Sequence, residues 1–185
     1  MLLYIVYIEP LLIYIEQKIV GLILPNIPPC LEAYCDDVNV VTGNDADLVV
    51  VDEAVKRFEA LSGAILSRDK KCKVIGFGRW KNREDWPLHY LRVVKEIKVF
   101  GIFIMDSYKD MLKRNWTYRF SKFEQSILSW SGRFLETIFQ RVEVIRTFAL
   151  SRIFYLASIL PIPEASVKDI ERVMGKFCGQ HQGKF

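Results

Sequence analysis

The sequence predicts an α+β fold up to about residue 106 and an all-α region after it, and three patterns support this division. In the first part, short β-branched runs alternate with turn residues around one amphipathic helix. In the second part, apolar residues recur every three or four positions over long stretches. Residues 1–50 carry seven acids and one base, whereas residues 107–155 carry nine bases and four acids. This asymmetry favours cations as partners of the first part and polyanions as partners of the second.

The first 24 residues, MLLYIVYIEPLLIYIEQKIVGLIL, are apolar enough to suggest a signal peptide or a membrane anchor. However, Glu9, Pro10, Glu16 and Lys18 interrupt the run, no base precedes it and no small-residue cleavage site follows it. The pattern instead predicts a buried helix over residues 11–22, broken near Pro10, and no membrane partner. A membrane-anchored helical protein is kept as an alternative, and it predicts partition into detergent.

A β-hairpin follows, with a strand at Glu32–Tyr34, a turn at Cys35-Asp36-Asp37 and a strand at Val38–Thr42. Gly43-Asn44-Asp45 forms a turn that also caps a helix, and Gly63 ends that helix in the left-handed conformation. The remaining predictions are short strands at 64–66 and 72–77 around a charged turn at 68–71, an exposed loop at 78–89, a strand at 97–105 interrupted by Gly101, and helices at about 109–130, 136–160 and 167–177.

The four cysteines are widely spaced, with no Cys-x-x-Cys pair, and the chain has two histidines. A zinc site and a disulfide framework are therefore not expected. Free thiols in a reducing compartment are the simple interpretation.

The adjacent acids Asp36 and Asp37 raise a question, because like charges side by side repel each other. Carboxylates at a hairpin tip can hold a divalent cation, and Mg²⁺ uses a few carboxylates while keeping positions for phosphate oxygens. Two such ions stabilise the attacking and leaving oxygens in nucleotidyl transfer. The alternative is an Asx-type turn, in which acids simply suit the backbone geometry.

The helical region interleaves aromatic with basic residues, a pattern in which rings can stack on nucleotides and bases can meet phosphates. The alternative is that the aromatics form the core, and the helical spacing of Phe120, Phe123, Ile127 and Trp130 favours this for those four. Three bases, Lys113, Arg119 and Lys122, are then predicted to face outward. Arg141 and the bases after it extend the positive surface along the second helix.

Four segments together resemble the reverse transcriptases (RNA-directed DNA polymerases) of non-long-terminal-repeat retrotransposons. Tyr34-Cys35-Asp36-Asp37 is similar to the family's palm hairpin, Tyr-Ala-Asp-Asp or Phe-Ala-Asp-Asp. FEALSGAILSRDKK, residues 58–71, is similar to its Phe…Ser-Gly…Asn…Lys segment, with Ser67 in place of asparagine. KVFGIFI, residues 98–104, is similar to the strand that leads into the primer grip. Residues 115–163 are similar to the thumb side, with its Trp…Arg…Leu…Gly-Arg and Leu…Tyr…Leu-Pro-Ile-Pro pattern.

The resemblance implies a partial polymerase palm at residues 1–106, made of the hairpin, a helix and short strands, and a thumb-like helical region at 107–185. Asp36 and Asp37 would be catalytic ligands of Mg²⁺, or of Mn²⁺. Lys70 would be the general acid for pyrophosphate departure; its alternative is a solvated turn lysine. RNA template and DNA primer would be the partners, contacted by Tyr34, Gly101, Lys113, Arg119, Lys122 and Arg141. Gly101 would let the grip strand bend toward the primer; its alternative is a β-bulge.

The chain also departs from the family. The family's palm has a further aspartate on an upstream strand and a glycine-containing segment that shapes the nucleotide pocket, and neither is recognisable in the 33 residues before Tyr34. Gln140-Arg141 stands where Gly-Arg is usual, and Phe177-Cys178-Gly179 lacks the closing tryptophan. We therefore expect a truncated copy that lacks the N-terminal half of the polymerase, binds magnesium weakly and does not polymerise alone. Metal-dependent primer extension by the purified chain would contradict this.

Two functional hypotheses remain open at this point. One is the palm–thumb fragment of a reverse transcriptase with vestigial metal chemistry. The other is a non-enzymatic nucleic-acid-binding remnant that uses the basic helices alone. They differ in whether nucleic-acid binding responds to Asp36→Ala and Asp37→Ala. The family resemblance implies an intracellular protein, nuclear or cytoplasmic.

Overall fold

The computed structural model describes residues 2–22, 31–34, 37–65, 67–133, 135 and 137–179. Within these residues the chain is mostly helical with a few short strands, so the predicted α+β class is confirmed at that level. The residues fall into two compact units, Met1–Val99 and Phe100–Phe185. The first unit contains both helices and strands, and the second is almost entirely helical.

Helix α1 spans Leu2–Lys18 with Pro10 inside it, so the predicted break near this proline is wrong. Proline has no N–H to donate to the carbonyl of Val6. Both residues lie on the exposed side of the helix, where water can satisfy that carbonyl. The opposite side is buried and contributes Ile8, Leu11 and Ile15 to the core. Among the described helices, none is long and apolar enough to span a membrane.

The predicted β-hairpin is confirmed. Strand β1 (Leu31–Tyr34) pairs antiparallel with β2 (Asp37–Val40), in a register that runs from Leu31 opposite Val40 to Tyr34 opposite Asp37. Leu31 and Val40 pack against the buried residues of α1. The two connecting residues, Cys35 and Asp36, lie outside the described part of the chain.

Helix α2 spans Asp45–Ser62, and both of its predicted ends are confirmed. The side chain of Asn44 accepts a hydrogen bond from the Asp47 N–H at 2.8 Å, and Gly63 ends the helix with φ of 73°. The buried carboxylate of Asp47 accepts the N–H groups of Val20 and Gly21 at 3.0 and 2.8 Å. This carboxylate therefore ties the start of α2 to the end of α1.

The segment after α2 has less regular structure than predicted. The charged turn at 68–71 is a helical turn, α3 (Arg68–Lys71), and the strand predicted at 72–77 is reduced to β3 (Lys73–Val74). Strand β3 pairs parallel with β4 (Arg92–Val93), and a 3-10 turn covers Gly78–Trp80. Residues 64 and 65 are irregular, so the strand predicted there is absent at those positions, and residue 66 lies outside the described part.

The loop at 78–89 is anchored rather than wholly exposed. Arg83 donates to both carboxylate oxygens of Asp45 at 2.6 and 2.8 Å. The indole N–H of Trp86 donates to the Arg83 carbonyl at 3.0 Å, and Trp86 is buried. A bidentate pair of this geometry holds the loop against the N-terminus of α2.

The strand predicted over residues 97–105 is divided into β5 (Glu96–Val99) and β6 (Ile102–Met105). Between them, Phe100 and Gly101 have φ of 47° and 80°. Two successive residues with positive φ are typical of a type I′ turn, and they replace both the predicted bend of a single strand and the alternative β-bulge.

The second unit contains four helices among its described residues. Helix α4 (Tyr108–Ser131) begins at Ser107, whose side chain accepts from the Asp110 N–H, and helix α5 (Ile138–Val144) begins at a capping box formed by Thr137 and Gln140. Helix α5 continues through a π-helical segment (Ile145–Leu150) into α6 (Ser151–Ala157), and α7 covers Glu164–Gly179. The predicted helices at 109–130 and 167–177 are confirmed, and the one at 136–160 contains an unforeseen π-helical segment.

The core of the second unit joins all four of these helices. Its buried members are Trp116, Phe123, Ile127, Val144, Ile145, Ala149, Ile153, Leu156, Leu160, Ile170 and Phe177. Phe123 and Ile127 are buried as predicted, whereas Phe120 and Trp130 are partly buried at its edge. Most of the aromatic residues of α4 therefore pack in or against the core. This is the alternative that the sequence offered to stacking on nucleotides.

Asn115 is a buried polar anchor in this core, with 1 % of its surface exposed. Its amide oxygen accepts the N–H of Phe103 at 2.9 Å, and its amide nitrogen donates to the Phe103 carbonyl at 2.7 Å. The same nitrogen donates to the Met111 carbonyl at 2.9 Å. One side chain thus satisfies both backbone groups of a β6 residue, and it fixes β6 on α4.

Candidate functional site

The hairpin brings two of the predicted site residues together. Tyr34 ends β1 opposite Asp37, which is the first residue of β2 and is exposed. The side chain of Tyr34 and the whole of Asp36 lie outside the described part of the chain. The strand ends thus hold Asp37 next to the connection that contains Asp36, on a hairpin packed against α1.

Of the two carboxylates predicted to bind magnesium, Asp37 is described and Asp36 is not. Carboxylate oxygens are ligands that Mg²⁺ accepts, and an exposed strand end leaves room for phosphate and water ligands. Within the described residues, however, no group of three or more His, Cys, Asp or Glu side chains is placed to hold a metal ion. The described donors therefore do not complete a site, and no catalytic step through a metal follows from them.

Helix α3 carries Lys70, the predicted general acid, and is anchored through its first residue. Arg68 donates to both carboxylate oxygens of Glu59 at 2.9 and 2.6 Å, which ties α3 to α2. Its guanidinium also lies 5.7 Å from the ring centre of Tyr90. The side chain of Lys70 itself is outside the description, so the structure fixes the position of its helix and not of its amine.

A buried polar network surrounds Asp52 on the same side of α2. The Tyr90 hydroxyl donates to Asp52 at 2.6 Å, Lys56 lies 2.6 Å away and Arg68 lies 3.8 Å away. Burial opposes ionisation of Asp52, but the hydrogen bonds from Lys56 and Tyr90 outweigh it and keep its pKa below the usual value. Burial and the neighbouring carboxylate raise the pKa of Tyr90, so this hydroxyl stays a proton donor.

The lowered pKa of Asp52 predicts a pH-dependent contribution to stability. A carboxyl whose pKa is lower in the folded state stabilises the fold above its unfolded pKa, and this contribution is lost as pH falls through the folded value. We expect Asp52→Asn to lower the free energy of unfolding by about 2 kcal/mol at pH 7. Urea denaturation at pH 7 and pH 3 should show this difference shrinking in acid, and an equal difference at both values would contradict the assignment. Exposed Glu53→Gln is the matched control.

The described cysteines agree with the predicted free thiols. Cys72 and Cys178 form no disulfide and are free thiols. Burial raises the pKa of the Cys72 thiol. Cys30 and Cys35 lie outside the described residues. A thiol with a raised pKa is a poor nucleophile at neutral pH, so Cys72 does not suggest catalysis.

The bases of the second unit divide into two groups. Among the described residues, nine are exposed on the helices or their connections: Lys109, Lys113, Arg114, Arg133, Arg146, Arg152, Lys168, Arg172 and Lys176. Several of these bases already lie over rings of their own unit, for example Arg133 at 4.2 Å from Trp130 and Arg114 at 4.1 Å from Phe103. Lys113 is outward as predicted, whereas Lys122 is half-buried, donates to Gln125 at 3.1 Å and lies 5.9 Å from the Tyr118 ring.

Arg119 and Arg141 do not have the predicted outward orientation. Arg141 donates to the carbonyls of Phe177 and Leu135 at 2.8 and 3.2 Å, so it connects α5 with α7. Arg119 donates to the Gly101 carbonyl at 3.1 Å. A long amphipathic side chain can cover apolar surface while its head finds carbonyl partners, and helical period alone does not reveal this.

Arg119 and Gly101, two predicted nucleic-acid residues of the second unit, contact each other. Tyr155, which the sequence did not single out, takes part: its hydroxyl donates to the Phe100 carbonyl at 2.5 Å. The Arg119 guanidinium lies 5.4 Å from the Tyr155 ring. The signal was present in the sequence as the tyrosine of the Leu…Tyr…Leu-Pro-Ile-Pro pattern, but its partner is 55 residues away.

No protein-family model and no curated protein matches this sequence.

Proposed function

We propose that this chain is the palm and thumb portion of a non-long-terminal-repeat retrotransposon reverse transcriptase and that it binds RNA–DNA template–primer duplexes. The β1–β2 hairpin carries the proposal, because it is an antiparallel pair with Tyr34 opposite Asp37 and only Cys35-Asp36 between them. The similar hairpin of the family presents its two aspartates in this way. The order of the three later segments supports the same proposal.

Asp36 and Asp37 are assigned as metal ligands inherited from the parent enzyme, for Mg²⁺ or Mn²⁺ that contacts phosphate oxygens. When bound, such an ion neutralises phosphate charge and orients the strand end. The chain's own part is to hold the carboxylates at the end of a strand that packs on α1. Polymerisation itself is assigned to the parent enzyme and is not proposed for this chain.

The second unit supplies the phosphate contacts. Exposed Lys113 and half-buried Lys122 lie on α4 about two and a half turns apart, and therefore on opposite sides of the helix. Each amine is a separate thumb contact in this proposal. Lysine–phosphate contacts are independent of base sequence and weaken with salt. The exposed bases of α6 and the π-helical segment extend the same positive surface.

A second candidate function is a non-enzymatic nucleic-acid-binding remnant that uses the basic helices alone. The observation that favours it is the number of exposed bases: nine bases among the described residues of the second unit are exposed. The two functions predict the same salt dependence and different responses to the aspartate variants.

Fluorescence anisotropy with a labelled RNA–DNA hybrid tests the proposed binding. We expect micromolar or tighter affinity at low salt, little dependence on base sequence, and a linear fall of log K with log salt. A double-stranded DNA of the same length serves as the comparison. Failure of the hybrid to bind at low salt, or affinity that does not change with salt, would overturn both candidate functions.

A further inference from the structure

The turn between β5 and β6 has an unusual backbone. Phe100 has φ of 47°, and it is the non-glycine residue with positive φ in the described part of the chain. A bulky aromatic residue in this region is a genuine outlier, since its Cβ crowds the following carbonyl. Such strain persists where the surroundings over-determine it, and it concentrates at functional sites.

Two side chains from different helices hold this turn. The Tyr155 hydroxyl on α6 donates to the Phe100 carbonyl at 2.5 Å, and the Arg119 guanidinium on α4 donates to the Gly101 carbonyl at 3.1 Å. Gly101 has φ of 80°, which favours glycine, and a Cβ added there would also stand 3.0 Å from Arg119 Nη2, at the end of a flexible side chain. The two successive carbonyls of the turn are therefore each held by a different helix.

The arrangement is costly for a purely structural contact. Arg119 Nε is buried and has no hydrogen-bond partner among the described residues, which adds to the cost of the strained φ at Phe100. At the same time Phe100 is 43 % exposed and Tyr155 is 41 % exposed, so neither aromatic ring is buried in the core. The turn is thus fixed tightly while its aromatic side chains remain accessible.

We propose that Tyr155 and Arg119 are positioning residues that hold the Phe100-Gly101 turn in a strained conformation, so that the Phe100 ring stacks on a base of a bound nucleic-acid strand. The inference rests on the proposed nucleic-acid binding and adds to it the residues that set this contact. An aromatic ring can stack on any of the four bases, which agrees with binding that does not depend on sequence. Arg119 contributes by fixing the turn and not by meeting a phosphate.

Two substitutions of Phe100 separate the ring from the backbone strain. Asparagine tolerates positive φ better than alanine does, and neither offers a ring. We expect Phe100→Asn to have a higher Tm than Phe100→Ala, and both to bind an RNA–DNA hybrid roughly tenfold more weakly than the unmodified chain. Anisotropy and thermal unfolding of the full chain supply the two readouts.

The third variant, Tyr155→Phe, removes only the hydroxyl and tests the positioning role. We expect severalfold weaker binding with an unchanged slope of log K against log salt, because no phosphate contact is lost. A merely structural hydroxyl would lower Tm and leave the affinity unchanged. The matched control is Tyr108→Phe on α4, an exposed tyrosine of the same unit, which should alter neither quantity.

The outcomes distinguish this inference from the proposed function. If the unmodified chain does not bind the hybrid, both are overturned. If it binds and the Phe100 variants bind equally well, the stacking contact is overturned while nucleic-acid binding stands. If the Phe100 variants weaken binding but Tyr155→Phe does not, the positioning role is overturned. Weaker binding in all three variants with an unchanged salt slope supports the inference.

Discussion

Replacing Asn115 with alanine is expected to lower the free energy of unfolding of the second unit by about 3 kcal/mol. The variant loses three hydrogen bonds and leaves both the N–H and the carbonyl of Phe103 without their partner. These backbone groups meet a side chain that is 1 % exposed, so water does not readily replace it. The higher helix propensity of alanine offsets only about 0.5 kcal/mol of this loss.

Urea denaturation followed by far-ultraviolet circular dichroism measures the effect of Asn115→Ala. Thr117→Ala is the control, since Thr117 is exposed on the same helix and should change stability by less than about 0.5 kcal/mol. Asn115→Asp should also destabilise, because its carboxylate faces the carbonyls of Phe103 and Met111. A stability of Asn115→Ala equal to that of the control variant would contradict the anchoring role.

Removing the two proposed thumb contacts is expected to produce the largest change in affinity. Each lysine–phosphate contact contributes about 0.9 to the slope of log K against log salt on duplex DNA. The Lys113→Gln/Lys122→Gln variant should therefore have a slope that is smaller by about 1 when the duplex meets one side of α4 and by nearly 2 when it meets both, and should bind about tenfold more weakly at 0.1 M salt. Lys113 is exposed and Lys122 is half-buried, and neither belongs to the buried core, so thermal stability should change little.

The control for this experiment carries the same change of charge on another helix. Lys168 and Lys176 are exposed on α7, and Lys168→Gln/Lys176→Gln leaves α4 intact. We expect it to weaken binding much less and to keep the slope within about one unit of the original. Equal losses in the two variants would mean that the bases act through the general positive field and that α4 makes no specific contact.

Elements with local signals could be predicted from the sequence. Helix α2 has its N-cap at Asn44, an apolar period and a left-handed Gly63, and each of these is set by residues within one or two turns. The hairpin follows from two short β-branched runs around a turn. Helices α4 and α7 follow from long amphipathic periods.

Elements that depend on distant partners could not be predicted. The Tyr90–Asp52 hydrogen bond spans 38 residues, and the Tyr155–Phe100 contact spans 55. The positive φ of Phe100 could not be expected from its residue type, because the sequence has a bulky residue where a type I′ turn favours asparagine or glycine. The tolerance of Pro10 inside α1 likewise depends on which face of the helix is exposed, and packing decides that.

The candidate site shows the same division. The hairpin position of Asp37 follows from the strand pattern, whereas the inward orientation of Arg119 and Arg141 does not follow from helical period. A basic side chain at the edge of the buried face of a helix can point into solvent or donate to a nearby backbone carbonyl. Only the tertiary structure determines which of the two occurs. The metal and nucleic-acid roles of these residues stay predictions.

The measurement that tests the central claim most directly is the affinity for an RNA–DNA hybrid across a Mg²⁺ titration, for the unmodified chain and for Asp36→Ala/Asp37→Ala. The exposed-acid variant Glu53→Ala is the control, because Mg²⁺ also competes for phosphates in every variant. We predict that at millimolar Mg²⁺ the unmodified chain and Glu53→Ala bind severalfold more tightly than the double variant. Equal affinities of all three proteins at every Mg²⁺ concentration would contradict the reverse-transcriptase assignment of the aspartates and leave a basic nucleic-acid-binding remnant.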